Sequence, residues 1–158
     1  MAIRNVLKEG DETLRKISRE VTKIDERMLT LLDDMAETMY ASEGVGLAAP
    51  QVGILRRAIV IDIRDENGLI ELLNPEIISK KGSQYDEEGC LSLPGVVAKL
   101  ERPMNVQVRG LNRAGEKVEY HASGFLAKAF CHEIDHLDGM LFIDHPHELV
   151  EDEEEIEE

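Results

Sequence analysis

The sequence predicts an α+β fold: mostly antiparallel or mixed β-sheets packed around a late helix bearing H-E-x-x-H, with a long helix near the N-terminus. Two observations carry this. Runs rich in Val, Ile and Leu, separated by turn residues, gather between positions 57 and 121. Apolar residues at helical spacing flank that block on both sides and do not alternate with it, which argues against a βαβ pattern. No internal repeat and no linker-like stretch divides the 158 residues. One domain over 1–147, followed by an acidic tail over 148–158, is therefore expected.

Each element has its own signal. Residues 10–15 (GDETLR) read as a short capped turn of helix. Asp25 is a candidate N-cap for the first long helix, where Met28, Leu31, Leu32, Met35 and Met39 recur on one face as core residues. Residues 42–53 (SEGVGLAAPQVG) hold three glycines and a proline and cannot form a regular helix. Gly44 and Gly46 let the backbone approach another group closely, and Gln51 adds an amide with both donor and acceptor. A tight helix-to-sheet connection is the plainer account of this stretch. Residues 57–62 form a buried strand, Asn67-Gly68 a hairpin turn and 69–73 the return. Asn74-Pro75 should break that strand, with 76–80 starting another. Residues 96–100 and 106–111 are extended, 112–115 turn, and 118–121 close a hairpin before the late helix. The chain after Pro146 reads as a frayed helix or a disordered, solvated charge run.

Charge bounds the partners. The formal net charge is −15, and eight acidic residues with no basic ones lie in 148–158, leaving −7 on the body. This opposes direct nucleic-acid binding and association with an anionic membrane. Transient docking on ribosomal proteins stays open. The segment beginning Met1-Ala-Ile-Arg-Asn-Val has no apolar signal core, and no run of about 18 apolar residues occurs, so a cytoplasmic location is expected. In a reducing compartment, Cys90 and Cys131 are metal ligands or free thiols before they are a disulfide.

The chemistry concentrates in 131–139 (CHEIDHLDG). Residues four apart share a helix face, so His132 and His136 can present two imidazoles to one ion. Glu133, about a quarter turn from His132, can handle the proton of a metal-bound water. A helix with two ordinary histidines and a surface glutamate is the bland alternative. Ser123 is a candidate N-cap and Gly139 a candidate C′ residue. Phe125, Leu126, Ala129, Phe130 and Leu137 give an apolar surface, so the helix should be mostly buried and its imidazoles need partners.

Catalytic ions usually have three protein ligands and an open position. Six residues after the second histidine stands Phe142, which cannot ligate. Acids beyond that point lie mainly in the tail, and His145 and His147 flank Pro146 in what reads as surface. Cys90, in DEEGCLSLP (86–94), is the better third ligand, and a thiolate favours Fe²⁺ or Zn²⁺ over hard cations. Its alternative is a small buried hydrophobe.

Three stretches, GVGLAAPQVG (44–53), EGCLS (88–92) and HEIDHLDG (132–139), together resemble the three signature motifs of peptide deformylases, in the family's order and spacing. The resemblance covers most of 1–145, including the pattern at 102–111. Val45 departs from a commoner Ile, and Cys131 from the Gln that usually precedes the first His. Cys131 reads as a packed thiol. The resemblance implies a metal-dependent hydrolase that removes the N-terminal formyl group from formyl-methionyl peptides and nascent chains, releasing formate. It implies Cys90, His132 and His136 as metal ligands and Glu133 as general acid/base, with metal-bound water attacking the formyl carbon. Gln51 and the Leu91 N–H would stabilise the oxyanion. Gly44, Val45 and Gly46 would bind substrate backbone as an added strand, and Val45, Phe125 and Ala129 would line the methionine pocket. Glu88 and Arg102 would pair behind a Cys90 loop. The family's physiological ion is Fe²⁺, with Zn²⁺, Ni²⁺ or Co²⁺ in purified samples. A zinc endopeptidase and a metal-stapled module without catalysis are the competing readings.

Overall fold

The computed structural model describes residues 2–150. Asp11 caps a 3₁₀ turn at Glu12–Arg15, accepting from the Thr13 N–H. Helix α1 spans Glu26–Ala41. Asp25 caps it by accepting from the Met28 N–H at 3.0 Å. Its buried face carries Met28, Leu31, Leu32, Met35 and Met39, as the periodicity requires.

A five-stranded antiparallel sheet follows, in the order β1-β2-β3-β6-β7. Its strands are β1 (Gly46–Ala48), β2 (Ala58–Ile61), β3 (Ile70–Lys81), β6 (Asn105–Leu111) and β7 (Lys117–Ser123). Residues 49–52, immediately after β1, close a single 3₁₀ turn. A second antiparallel sheet, order β4-β5-β8, is built from β4 (Gln84–Cys90), β5 (Leu93–Arg102) and β8 (His147–Leu149). Helix α2, Phe125–Leu137, packs Leu126, Ala127, Phe130, Ile134 and Leu137 against Ile59, Ile61, Leu72 and Val108 of the larger sheet. The face of α1 closes a second core with Leu47, Val60 and Leu73. The predicted architecture is therefore the observed one.

Four local expectations are corrected. Asn74-Pro75 does not end a strand: β3 continues through it, with a register shift between Leu73 and Glu76. Asn74 tolerates its left-handed φ of 51° and clamps the N-terminal arm, accepting from the Val21 N–H and donating to the Val21 carbonyl. Ser123 does not cap α2. It belongs to β7 and its hydroxyl donates to Asn105 Oδ1, while Gly124 occupies the cap position at φ 60°, ψ −125°. Cys90 ends a strand and not a loop; the charges of 86–88 had hidden β4's extended character. Finally, 147–149 are neither helix nor disordered but pair as β8 with 98–100 of β5. The solvated-tail reading of 151–158 lies outside the described residues. Gly139 does fill the C′ position of α2, at φ 74°.

Candidate active site

Three pieces of chain converge on one cleft: the glycine segment leading into β1, the end of β4, and the buried face of α2. Cys90 Sγ and a nitrogen from each of His132 and His136 all lie within 4.8 Å of one another. Cys90 Sγ is 3.4 Å from His136 Nε2. The two imidazole centroids are 5.0 Å apart, as expected one helical turn apart.

The donor set suits a divalent transition ion: one sulfur and two imidazole nitrogens. His132 Nδ1 is taken up by Glu88 Oε1 at 2.6 Å, which fixes the ring and leaves Nε2 for the cleft. Phe142 stacks on that ring, centroids 5.9 Å apart. Glu88 is in turn gripped by Arg102, through Nε at 3.0 Å and Nη2 at 2.6 Å, the pairing expected from the sequence. Arg102 also donates through Nη1 to Asp135 Oδ2 at 2.8 Å.

Electrostatics separates two buried carboxyls. Burial pushes the Glu133 carboxyl up to about 7, against the opposing charge of His132. Burial works against the Glu88 charge too, but the hydrogen bonds from His132 and Arg102 outweigh it and hold that carboxyl down at about 2. The imidazoles diverge as well. Burial holds His136 well below its ordinary value, helped by the nearby His132 and Arg102 charges. Burial opposes protonation of His132, yet Glu133, Cys90 and Glu88 carry it well above its ordinary value. Burial raises the Cys131 thiol to about 11, and Cys131 packs in the core as an inert thiol.

Glu133 Oε1 and His136 Nδ1 are buried without a hydrogen-bond partner. Gly46 explains how Glu133 fits: a Cβ there would stand 2.5 Å from Glu133 Oε2. At Gly44 a Cβ would stand 2.9 Å from Leu91 Cδ1. The two glycines thus permit close approach to the chemistry itself. Gln51 is locked: its Oε1 accepts from the Ala48 N–H at 3.0 Å, and its Nε2 donates to Ser92 Oγ at 3.1 Å and lies 3.6 Å from Cys90 Sγ.

Gly44, Val45, Gly46, Gln51, Cys90, Leu91, Phe125, Ala129, His132 and Glu133 line one cavity of about 340 Å³. His136 sits behind it, almost wholly buried. Val45 and Phe125 are rim residues, 37% and 48% exposed, so Phe125 is less buried than its helix. A larger groove of about 760 Å³ opens at the start of α1, but the thiol and imidazoles do not reach it.

Sequence reasoning missed four groups. Ser92 holds Gln51. Lys128, buried on α2, donates to the Glu87 carbonyl at 2.8 Å and lies over the Phe125 ring. Asp135 braces Arg102. His145, expected at the surface, instead turns inward to Asp135 Oδ2 at 2.7 Å, whereas His147 is exposed as expected. Asp135 carried a signal, lying one turn beyond His132 on the same helix; His145 carried none.

Among the described residues no helix is long and apolar enough to cross a membrane. Comparison with known proteins agrees with the geometry. The chain is 58% identical over 154 residues to a peptide deformylase of Acetivibrio thermocellus, covering 98% of this chain and 89% of that one. It is 62% identical over 144 residues to a peptide deformylase of Alkaliphilus metalliredigens, covering 91% and 97%. A crystal structure of a peptide deformylase from Legionella pneumophila superposes with a TM-score of 0.89 at 47% identity, covering 92% of this chain and 86% of that one. The family model described as polypeptide deformylase matches residues 3–152, and with these relatives it shows that the chain belongs to the polypeptide deformylase family of enzymes.

Proposed function

We propose that this enzyme hydrolyses the N-terminal formyl amide of formyl-methionyl peptides and nascent chains, releasing formate. The observation that carries the mechanism is the convergence of Cys90 Sγ and the two imidazoles beside a buried, unpartnered Glu133 oxygen. Cys90, His132 and His136 hold a divalent ion, Fe²⁺ physiologically and Zn²⁺, Ni²⁺ or Co²⁺ as substitutes in a purified sample. The ion, when bound, supplies Lewis acidity towards water and the formyl carbonyl.

The chain's own residues do the rest. Substrate backbone adds along Gly44, Val45 and Gly46, the segment that lines the cavity and leads into β1, an edge strand of its sheet. Val45, Phe125 and Ala129 receive the methionine side chain in the cavity. Glu133 accepts the proton of the attacking water. The Gln51 amide, aimed by Ser92 and the Ala48 N–H, and the Leu91 N–H stabilise the oxyanion. Glu133 then returns the proton to the leaving amine. The catalytic domain expected over 1–147 includes β8 through Leu149, and 148–158 contribute no catalytic group. Encounter with nascent chains at the ribosome proceeds without direct RNA contact, as the net charge of −15 favours. Catalysis takes place in the cytoplasm.

The test is to load the full chain with Fe²⁺ anaerobically and offer formyl-Met-Ala-Ser beside a longer unformylated peptide. Formate release from the first alone is expected. Internal cleavage of the second would point to an endopeptidase, and inactivity towards both with metal bound would reduce the site to a structural staple.

A further inference from the structure

The mechanism uses the cleft side of α2 and leaves the other side unexplained. There, Asp135 is partly exposed, and an aspartate beside a buried arginine can swing out to water. In this chain it is held. His145 Nε2 stands 2.7 Å from Asp135 Oδ2, and Arg102 Nη1 reaches the same oxygen at 2.8 Å. His145 Nε2 is also 3.4 Å from Arg102 Nη1. With Asp135 ionised, that nitrogen serves as a donor to the carboxylate, not as an acceptor from the arginine.

His145 is itself fixed from both sides. The preceding Asp144 accepts from the Leu141 N–H at 2.8 Å and pairs with Arg15 at 2.5 Å. Beyond it, β8 pairs with 98–100 of β5. Strand β5 carries β4, and β4 ends in Cys90. From His145 an unbroken chain runs inward: His145 to Asp135, Asp135 to Arg102, Arg102 to Glu88, Glu88 to His132. Three of its members, Arg102, Glu88 and His132, are buried.

We infer that His145 is a positioning residue for the metal centre: by pinning Asp135 it keeps Arg102 on Glu88 and so keeps the His132 imidazole aimed at the ion. The inference rests on the metal reading above and deepens it. It makes ion retention depend on a residue outside the three sequence motifs. His147, two residues on, is exposed and its Nδ1 lies only against the His145 carbonyl, so it is the internal control.

The test uses the full chain loaded with Co²⁺, whose absorption spectrum reports the geometry around the ion. Release to an excess of chelator is followed in the parent, His145→Ala, His145→Gln and His147→Ala. Metal ligands' outer partners change affinity by about 10–100-fold, and His145 stands three contacts beyond such a partner, Glu88, so a smaller effect is expected. His145→Ala should therefore release Co²⁺ about 3–10-fold faster with a shifted spectrum and an unchanged KM for formyl-Met-Ala-Ser. His145→Gln places an N–H near the Nε2 position and should restore parental release, and His147→Ala should match the parent. If His145→Ala does not fold, the Gln variant decides: parental release and spectrum support the role. Parental release from His145→Ala, or fast release from folded His145→Gln, would overturn it. Failure of the parent to bind Co²⁺ would instead overturn the metal reading on which it stands.

Discussion

Helices α1 and α2 each carry polar side chains into the interior, and the two interiors treat them differently. On α1 the buried polar groups are Asp34 and Thr38. Asp34 accepts from the Ala2 N–H at 2.7 Å and from Arg4 Nε at 2.9 Å, and Thr38 Oγ1 accepts from the Arg4 N–H at 2.8 Å. These bonds staple the N-terminal arm to the helix. On α2, Lys128 and His132 are likewise engaged, but Glu133 Oε1 and His136 Nδ1 are left without a partner. Burying a polar atom unpaired costs about 1–3 kcal/mol. On α1 Glu37 Oε2 is likewise unpaired, but it belongs to a half-buried side chain outside the cleft, whereas the two α2 atoms belong to buried side chains at the converging donors, which reserves them for chemistry.

The contrast can be broken or sharpened by substitution. Arg102→Ala should have the largest effect. It strands Glu88 in a buried site and should cost about 3–5 kcal/mol in chemical denaturation of the full chain, with loss of bound metal. Retained metal and parental stability would show that the α2 side needs no such bracing. Met35→Ala, at a fully buried position on α1, should cost about 2–5 kcal/mol while activity per folded molecule stays parental. Reduced turnover in that folded variant would mean that α1 is not purely structural.

Glu133→Gln reverses the pattern: metal content and Tm hold, and turnover falls at least about 10²-fold. A near-parental rate would remove Glu133 from the proposed mechanism. Acid titration gives a further test. Glu88 is held below its ordinary 4.5, at about 2, so its contribution is complete above pH 4.5 and disappears as pH falls through about 2. The stability gap between parent and Glu88→Gln should therefore shrink on acidification, and a gap constant from pH 7 to 2 would contradict the assigned pairing. The smallest effect belongs to Arg4→Ala, because Arg4 is partly exposed and its ion pair with Asp34 is screened: about 1 kcal/mol or less.

Most of the site was legible in the sequence because helical periodicity alone places His132, Glu133 and His136, and because glycines mark where backbone must come close. Cys90 emerged from exhausting other ligands only as the better candidate beside a buried-hydrophobe reading, and the three motifs taken together singled it out. What stayed hidden depended on long-range register. The β4 strand carries Asp86, Glu87 and Glu88, charges that mask an extended pattern, although Glu88 points inward to Arg102. The continuity of β3 through Asn74-Pro75 depends on the Asn74 side chain clamping Val21, a contact 53 residues apart in sequence. His145 looked like surface because nothing local says that β8 folds back on β5.

X-ray absorption on the Fe²⁺-loaded full chain tests the central claim most directly. One sulfur at about 2.3 Å and two imidazole nitrogens at about 2.1 Å are expected, the distances typical of such ligands on a divalent ion of similar size, with the remaining position filled by solvent and not by protein. A shell without sulfur, or with a fourth protein donor, would contradict the convergence of Cys90, His132 and His136 from which the proposed chemistry is derived.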